Sequence, residues 1–197
     1  MNHKQALLTL ERFLTPILST DSSELAPLFA HTRLVILDKH ERILSAGYAS
    51  NTLWFLAQGL VRNVYTTKDG KEFNKSFISA PGFCGAMTEI LVDTPSRFSI
   101  ESMEPCTALA IPIDWFRQAL PGSPALQTLA RVIAEQLALK KEQREAELLL
   151  DDATTRYQNF VHNHPHLVQR IPAYHIASYL GITEVALSRI KRKLNPG

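Results

Sequence analysis

The stretch IASYLGITEVALSRIKRKL, residues 176–194, decides the reading of the chain. AYHIASYL, beginning at Ala173, has the spacing of a helix of about two turns. Gly181 breaks it, because a residue without a Cβ turns there at no steric cost. Thr183 is placed to cap a second helix through its side-chain oxygen. Ile176, Leu180, Ile182, Leu187 and Ile190 fall into the angle between the two helices, and Ala177 is small where they would touch. That order of small, apolar, glycine and apolar positions is a helix-turn-helix. The second helix, Glu184 to about Leu194, would then enter the DNA major groove. Arg189 can fork to guanine, Val185 can touch a thymine methyl, Glu184 can accept from cytosine, and Ser188 completes the outward face. Thr183, Arg192 and the first-helix start at Tyr174 and His175 are expected at phosphates. A plain helical hairpin used only for packing is the competing reading.

Charge supports the DNA reading. The formal net charge is +2 over 197 residues. From Ala153 onward, Arg156, Arg170, Arg189, Lys191, Arg192 and Lys193 stand against Glu184 alone, a net +5, which leaves −3 for the rest. A basic tail on an acidic body suits a polyanionic partner.

Working back towards the N-terminus, residues 3–29 read as helical. Pro16 ends or bends the first helix, and Asp21 or Ser22 is placed to cap a second. After His31 the texture changes to short β-rich runs separated by Gly47, Gly59, Asp69-Gly70, Pro81-Gly82 and Pro105. Asp69-Gly70 is a hairpin signal, and the whole suggests an antiparallel sandwich or barrel. DWFRQAL closes this region as a short helix. A long helix then runs from about Pro124 to Leu150, with Leu126, Leu129, Ile133 and Leu137 as one apolar stripe. Two destinations are open to that stripe: a two-fold dimer seam, or the chain's own β domain. Asp151-Asp152 reads as the cap of the next helix, which carries Tyr157, Phe160 and Val161 and stops at Pro165. The boundaries are therefore 1–120 for the sensor-like β region, 121–150 for the dimerisation helix and 151–197 for the DNA-binding region.

The chain resembles the CRP/FNR superfamily of bacterial transcription regulators over nearly all of its length. The likeness rests on LWFLAQGLVRNVY followed by the DGKE hairpin, and on RYQNFVHNHPHLVQRIPAYHIASYLGITEVALSRIKRKL. The latter is very like a short-tailed subgroup without a recognised cyclic nucleotide site. The resemblance implies an α+β fold: an N-terminal cyclic-nucleotide-binding-like β-roll, a long dimerisation helix and a C-terminal helix-turn-helix. It also implies a homodimer on a pseudo-palindromic operator, with recognition helices roughly 34 Å apart, and admits RNA polymerase as a partner. A signal in the roll would act at a hinge near residues 148–152.

Departures from the family pattern bear on the effector. Cyclic-AMP binders carry Gly-Glu and, about ten residues on, Arg-Ser or Arg-Thr. Here, in GFCGAMTEILVDTPSRFS, Gly85 matches, but Ala86 replaces the glutamate that holds the ribose. Losing that acceptor costs about 1–3 kcal/mol. Arg97 arrives one residue late and is followed by Phe98. The candidate effector residues are thus Gly85, Ala86, Ser96, Arg97, Phe98 and Ser99. Cyclic AMP is disfavoured and no cofactor is expected, so the roll would sense another small effector or none. Arg97 is left to hold another small anion or to act as a structural ion-pair partner. No cysteine precedes Cys84, so the oxygen-sensing cluster of the FNR branch is not expected. In the second helix, Ser188 and Arg189 match the family's Glu-x-x-Ser-Arg pattern, whereas Val185 stands at its glutamate. The sequence ends at Gly197, where longer members continue into wing strands.

Other classes are weaker. Cys84 and Cys106 are expected as reduced core thiols of a cytoplasmic protein. The start lacks a secretory pattern, and no run of about eighteen apolar residues suggests a membrane span. His162, His164 and His166 are expected to be solvated rather than a metal site, and Trp54 and Trp115 are expected in the core or an interface. No nucleophile elbow, glycine-rich phosphate loop or carboxylate pair argues for an enzyme. The alternative function is a roll that binds a small molecule or protein, with a helical tail that only packs.

Overall fold

A computed structural model describes residues 1–18 and 22–194. The expectation that Asp21 or Ser22 caps a helix falls on Asp21, outside those residues, and on the Ser22 side chain, which is not described. Helix α1 (His3–Leu18) has Pro16 in its last turn and ends two residues later. Helix α2 (Ala26–Ala30) leads into eight strands: β1 (Arg33–Leu37), β2 (Arg42–Leu44), β3 (Thr52–Gln58), β4 (Leu60–Thr66), β5 (Glu72–Ser79), β6 (Gly82–Cys84), β7 (Ser99–Ser102) and β8 (Cys106–Pro112). Short helix α3 (Met87–Val92) lies between β6 and β7, and α4 (Ile113–Ala119) follows β8.

The strands form two antiparallel sheets, in the orders β1-β8-β3-β6 and β2-β7-β4-β5. Leu37, Leu44, Trp54, Leu56, Val61, Phe98, Ile100 and Ala108 fill the space between them. Both faces of the first sheet are covered, which explains why TLWFLAQ reads as a continuous apolar run rather than an alternating one. Its outer face carries Phe55 and Ile111, packed against Leu10 and Leu14 of α1. The β4–β5 turn falls at Asp69-Gly70, as the sequence predicts. Gly59 joins β3 to β4 at a φ of +106°, and a Cβ there would run into the Cys106 side chain and come within 3.0 Å of its Cα. Only glycine fits that corner.

Helix α5 (Pro124–Leu150) has the predicted bounds and is 27 residues long, about 40 Å. The first three residues of its predicted stripe go to the chain's own domain. Leu126 and Leu129 are buried against α1 and the first sheet, with Ile133 packed beside them. The dimer-seam reading of those residues is corrected: helical periodicity shows that a face is buried, not which partner buries it. A neighbouring face stays open, with Gln136, Leu139, Gln143, Ala146 and Leu150 exposed.

Asp151 caps the end of α5, and Asp152 caps α6 (Ala153–Asn163) by accepting from the Thr155 N–H at 2.7 Å. Helices α7 (Ala173–Leu180) and α8 (Glu184–Leu194) complete the fold. Tyr157, Phe160, Ile176, Leu180 and Leu187 form one apolar cluster with Leu60 and Met103 of the β region. The C-terminal helices therefore lie on the second sheet and share a core with it.

Candidate nucleic-acid interface and the closed cassette

The turn between α7 and α8 is built as its residues dictate. Gly181 sits at a φ of +72°, in the left-handed region. Its N–H and that of Ile182 return to carbonyls of α7. Thr183 Oγ1 accepts from the Ala186 N–H at 3.2 Å, the expected cap. Leu187 is buried behind α8, while Thr183, Glu184, Val185, Ser188, Arg189 and Arg192 are all exposed on its outside. Val185 is an apolar side chain left 61% exposed. The last turn carries Lys191, Arg192 and Lys193, which oppose the negative end of the helix dipole. The arrangement brings the six predicted residues to one open, basic surface.

Two arginines fasten the end of α7. Arg156 Nε donates to the Leu180 carbonyl at 3.0 Å, and its Nη1 to the Asp151 carbonyl at 2.6 Å. Arg144 of α5 donates to the Tyr179 carbonyl and lies over the Tyr179 ring, 4.1 Å from its centroid. Positive charge at a helix C-terminus is stabilising.

At the start of α7 the structure divides two residues that the sequence groups together. Tyr174 is exposed, as a phosphate contact requires. His175 is only 6% exposed and turns into the second sheet, so its predicted phosphate role is corrected. Its Nδ1 faces Arg62 Nη1 at 3.4 Å and Asn74 Nδ2 at 3.0 Å. Both neighbours donate, so Nδ1 accepts and the ring is neutral. Burial, reinforced by the Arg62 charge, holds its pKa down to about 4.

Arg62, 5% exposed, was not singled out from the sequence. Its Nη2 donates to Glu72 at 2.7 Å and to Glu101 at 3.0 Å, and its Nη1 to Asn74 Oδ1 at 3.2 Å. Arg42 Nε adds a 3.2 Å contact to Glu101, and His40 Nδ1 lies 3.5 Å from it. Burial works to raise the Glu101 pKa, but Arg62 and Arg42 outweigh it and hold the carboxyl low. A charged residue inside the apolar run LVRNVY was the available signal.

The cassette segment is closed. Ala86 and Phe98 are buried among the apolar side chains between the sheets. Ser96 and Ser99 are buried and turn to the backbone: Ser96 Oγ donates to the Phe98 carbonyl at 2.8 Å, and Ser99 Oγ accepts from the Ala46 N–H at 3.0 Å. Gly85 is half-buried against Leu53 and Ile90. Tyr65 meets the Phe98 ring edge-on, and Lys75 Nζ lies 4.5 Å from its centre. Arg97 points to solvent and forms no ion pair among the described residues, which corrects its reading as a structural ion-pair partner. The segment does hold a buried carboxylate, Glu89, three residues beyond Ala86. One of its oxygens accepts from Ser50 N, Ser50 Oγ and Asn51 N at 2.9–3.2 Å, so it anchors the protein's own loop. The other has no partner among the described residues.

Cys84 and Cys106 are free and buried. Among the described residues no group of three or more His, Cys, Asp or Glu could hold a metal, and no helix is long and apolar enough to cross a membrane.

The chain thus carries a β-roll with a filled cassette, a long helix and an exposed basic helix-turn-helix. Residues 34–122 match the family described as the cyclic nucleotide-binding domain. Among solved structures, the chain is similar to the c-di-GMP responsive global regulator CLP of Xanthomonas campestris, with a TM-score of 0.73 and 17% identity over 88% of this chain and 91% of that one. It is also similar to FixK2 of Bradyrhizobium japonicum (TM-score 0.71, 17% identity, 83% and 84% covered). CooA of Carboxydothermus hydrogenoformans, as a double mutant, matches with a TM-score of 0.71 and 20% identity over 91% and 83%. A search of curated proteins found no match. The chain thus shares the fold of these solved structures, and its residues 34–122 match a cyclic nucleotide-binding domain, the architecture its sequence resemblance implied.

Proposed function

We propose that the chain is a homodimeric regulator that reads double-stranded DNA through α8, and that its roll does not take cyclic AMP. The observation that carries this reading is the outer face of α8. Glu184, Val185, Ser188 and Arg189 stand exposed on a helix whose other side is buried and whose exit is basic. Leaving one apolar side chain next to a forked guanidinium suits base edges and a thymine methyl.

The dimer reading rests on the open face of α5. Val132, Gln136, Leu139, Gln143, Ala146 and Leu150 recur at alternating spacings of four and three, the a/d pattern of a two-stranded coiled coil. Leu139 is 67% exposed in the single chain. Beside Gln136 runs an open groove of about 550 Å³, lined mainly by Phe13, Pro16, Ile17 and Pro81, which a second α5 would cover. In a parallel pair, Glu135 and Lys140 fall at flanking positions that meet across the seam.

The reading of the roll rests on what fills it. Ala86 supplies no ribose acceptor, Phe98 occupies the interior and Arg97 faces away. A cyclic phosphate entering there would have to displace packed apolar side chains without gaining its two anchoring contacts.

The test is DNA binding to fragments of the protein's own upstream region over a salt series, for wild type and Arg189→Ala, with and without cyclic AMP. Steep salt dependence in wild type, and loss of about 1–3 kcal/mol with relaxed sequence preference in Arg189→Ala, are expected. Cyclic AMP should change neither. Equal binding by the two proteins would remove Arg189 as the reader.

A further inference from the structure

The network around Arg62 joins three parts of the molecule that are far apart in sequence. Glu101 lies on β7 only two residues beyond Ser99, so the strand that leaves the cassette carries it. Within the second sheet it is the direct cross-strand partner of both Arg42 on β2 and Arg62 on β4. Arg62 gives Nη2 to both carboxylates and Nε to Glu101 as well, and turns Nη1 to Asn74 and His175. Asn74 then holds α7 by its backbone as well. Its Nδ2 donates to the His175 carbonyl at 3.1 Å, and its N–H donates to Ser178 Oγ at 3.0 Å.

This is a costly way to glue two surfaces. A buried ion pair seldom stabilises more than an apolar replacement of the same size. Elsewhere the centre of the interface is apolar, with Leu60, Phe77 and Met103 against Tyr157, Phe160 and Ile176, and the other ion pair across it, Arg170 to Glu104 at 2.6 Å, is partly exposed. What a buried arginine adds is geometry: its fork reaches the head only while both carboxylates hold it in one orientation.

We propose that Arg62 is a latch through which the cassette strand sets how firmly the helix-turn-helix is held on the roll. Displacement of β7 moves Glu101, the guanidinium loses its orientation, and α7 loses its hold at His175 and Asn74. The consequence for DNA rests on the function proposed above, but the latch itself can be tested without DNA.

The experiment is hydrogen exchange on the full-length protein, comparing wild type with Glu101→Gln and Arg42→Gln. Neither residue touches α7, and Arg42 is on the surface, so the second variant is expected to fold even if the first does not. In Glu101→Gln the α7 amides (residues 173–180) should exchange at least ~10-fold faster, while those of β3 and β8 are unchanged. In Arg42→Gln the rise should be smaller, about 3-fold. Unchanged α7 exchange in the folded variants would overturn the latch, as would equal acceleration in β3 and β8. A wild type that never binds DNA would count against α8 as a reader and leave the exchange result standing.

Discussion

Acid should loosen the C-terminal helices from the roll, and His175 sets both the size and the window of the effect. The groups that face its ring are Arg62 from β4, Glu72 from β5, Glu101 from β7 and His40 from the turn before β2, with Arg42 behind the carboxylates. The carboxylates favour a charged imidazole, but burial and Arg62 outweigh them, which puts the docked pKa at about 4. An undocked histidine takes its proton near pH 6.5. Between those values the undocked state binds more protons, so stability falls as the pH falls. The contribution is complete above pH 6.5 and is exhausted below about 4. At about 1.4 kcal/mol for each pH unit, the loss is roughly 2 kcal/mol at pH 5 and approaches about 3.5 kcal/mol at the floor. Glu101, held low by its arginines, stays ionised through the upper part of that window. Denaturant unfolding from pH 7.5 to 4.5 measures the effect, with His175→Gln as the variant that cannot titrate. The wild-type curve should fall and the variant curve should be flatter by about the same 2 kcal/mol at pH 5. Parallel curves for the two proteins would refute the assignment of the proton to His175.

Three further outcomes follow from packing. Leu139→Glu should dissociate the dimer in sedimentation without lowering the melting temperature of the single chain, whereas Leu126→Ala should cost the fold about 2–5 kcal/mol. Gly59→Ala should be strongly destabilising, by several kcal/mol in a thermal melt, since it adds both a strained φ and a collision with Cys106. The Cys84 thiol, pushed up to about 12 by burial, should react with a thiol reagent only as the protein unfolds.

Much of this molecule is legible in its sequence because the signals are local. The bounds of α5, the turn at Asp69-Gly70, the Asp152 and Thr183 caps and the break at Gly181 each depend on a few neighbouring residues. The exposed face of α8 could be read because a buried Leu187 fixes the phase of everything around it. What could not be read is which surface meets which. The Leu126–Leu137 stripe is strongly periodic, yet periodicity is blind to the identity of its partner. The exposed face of α5 is hard to read because glutamines hold two of its positions. His175 resembles any polar residue in a first helical turn, and its burial depends on Asn74 and Arg62, 101 and 113 residues away. Arg97 failed for the opposite reason: a motif position predicts a role, but the loop turns that side chain to water.

The cluster that joins Leu60 and Met103 to Tyr157, Phe160, Ile176 and Leu180 bears on what counts as a separable piece of this protein. Cutting the chain at Asp151-Asp152 would leave apolar surface bare on both fragments. Neither half owns enough of that cluster to close it alone. At neutral pH the roll and the C-terminal helices should therefore melt in a single calorimetric transition, with the heat capacity change of the whole chain. A fusion that borrows residues 151–197 as a portable reading head would need to bring the outer face of the second sheet with it.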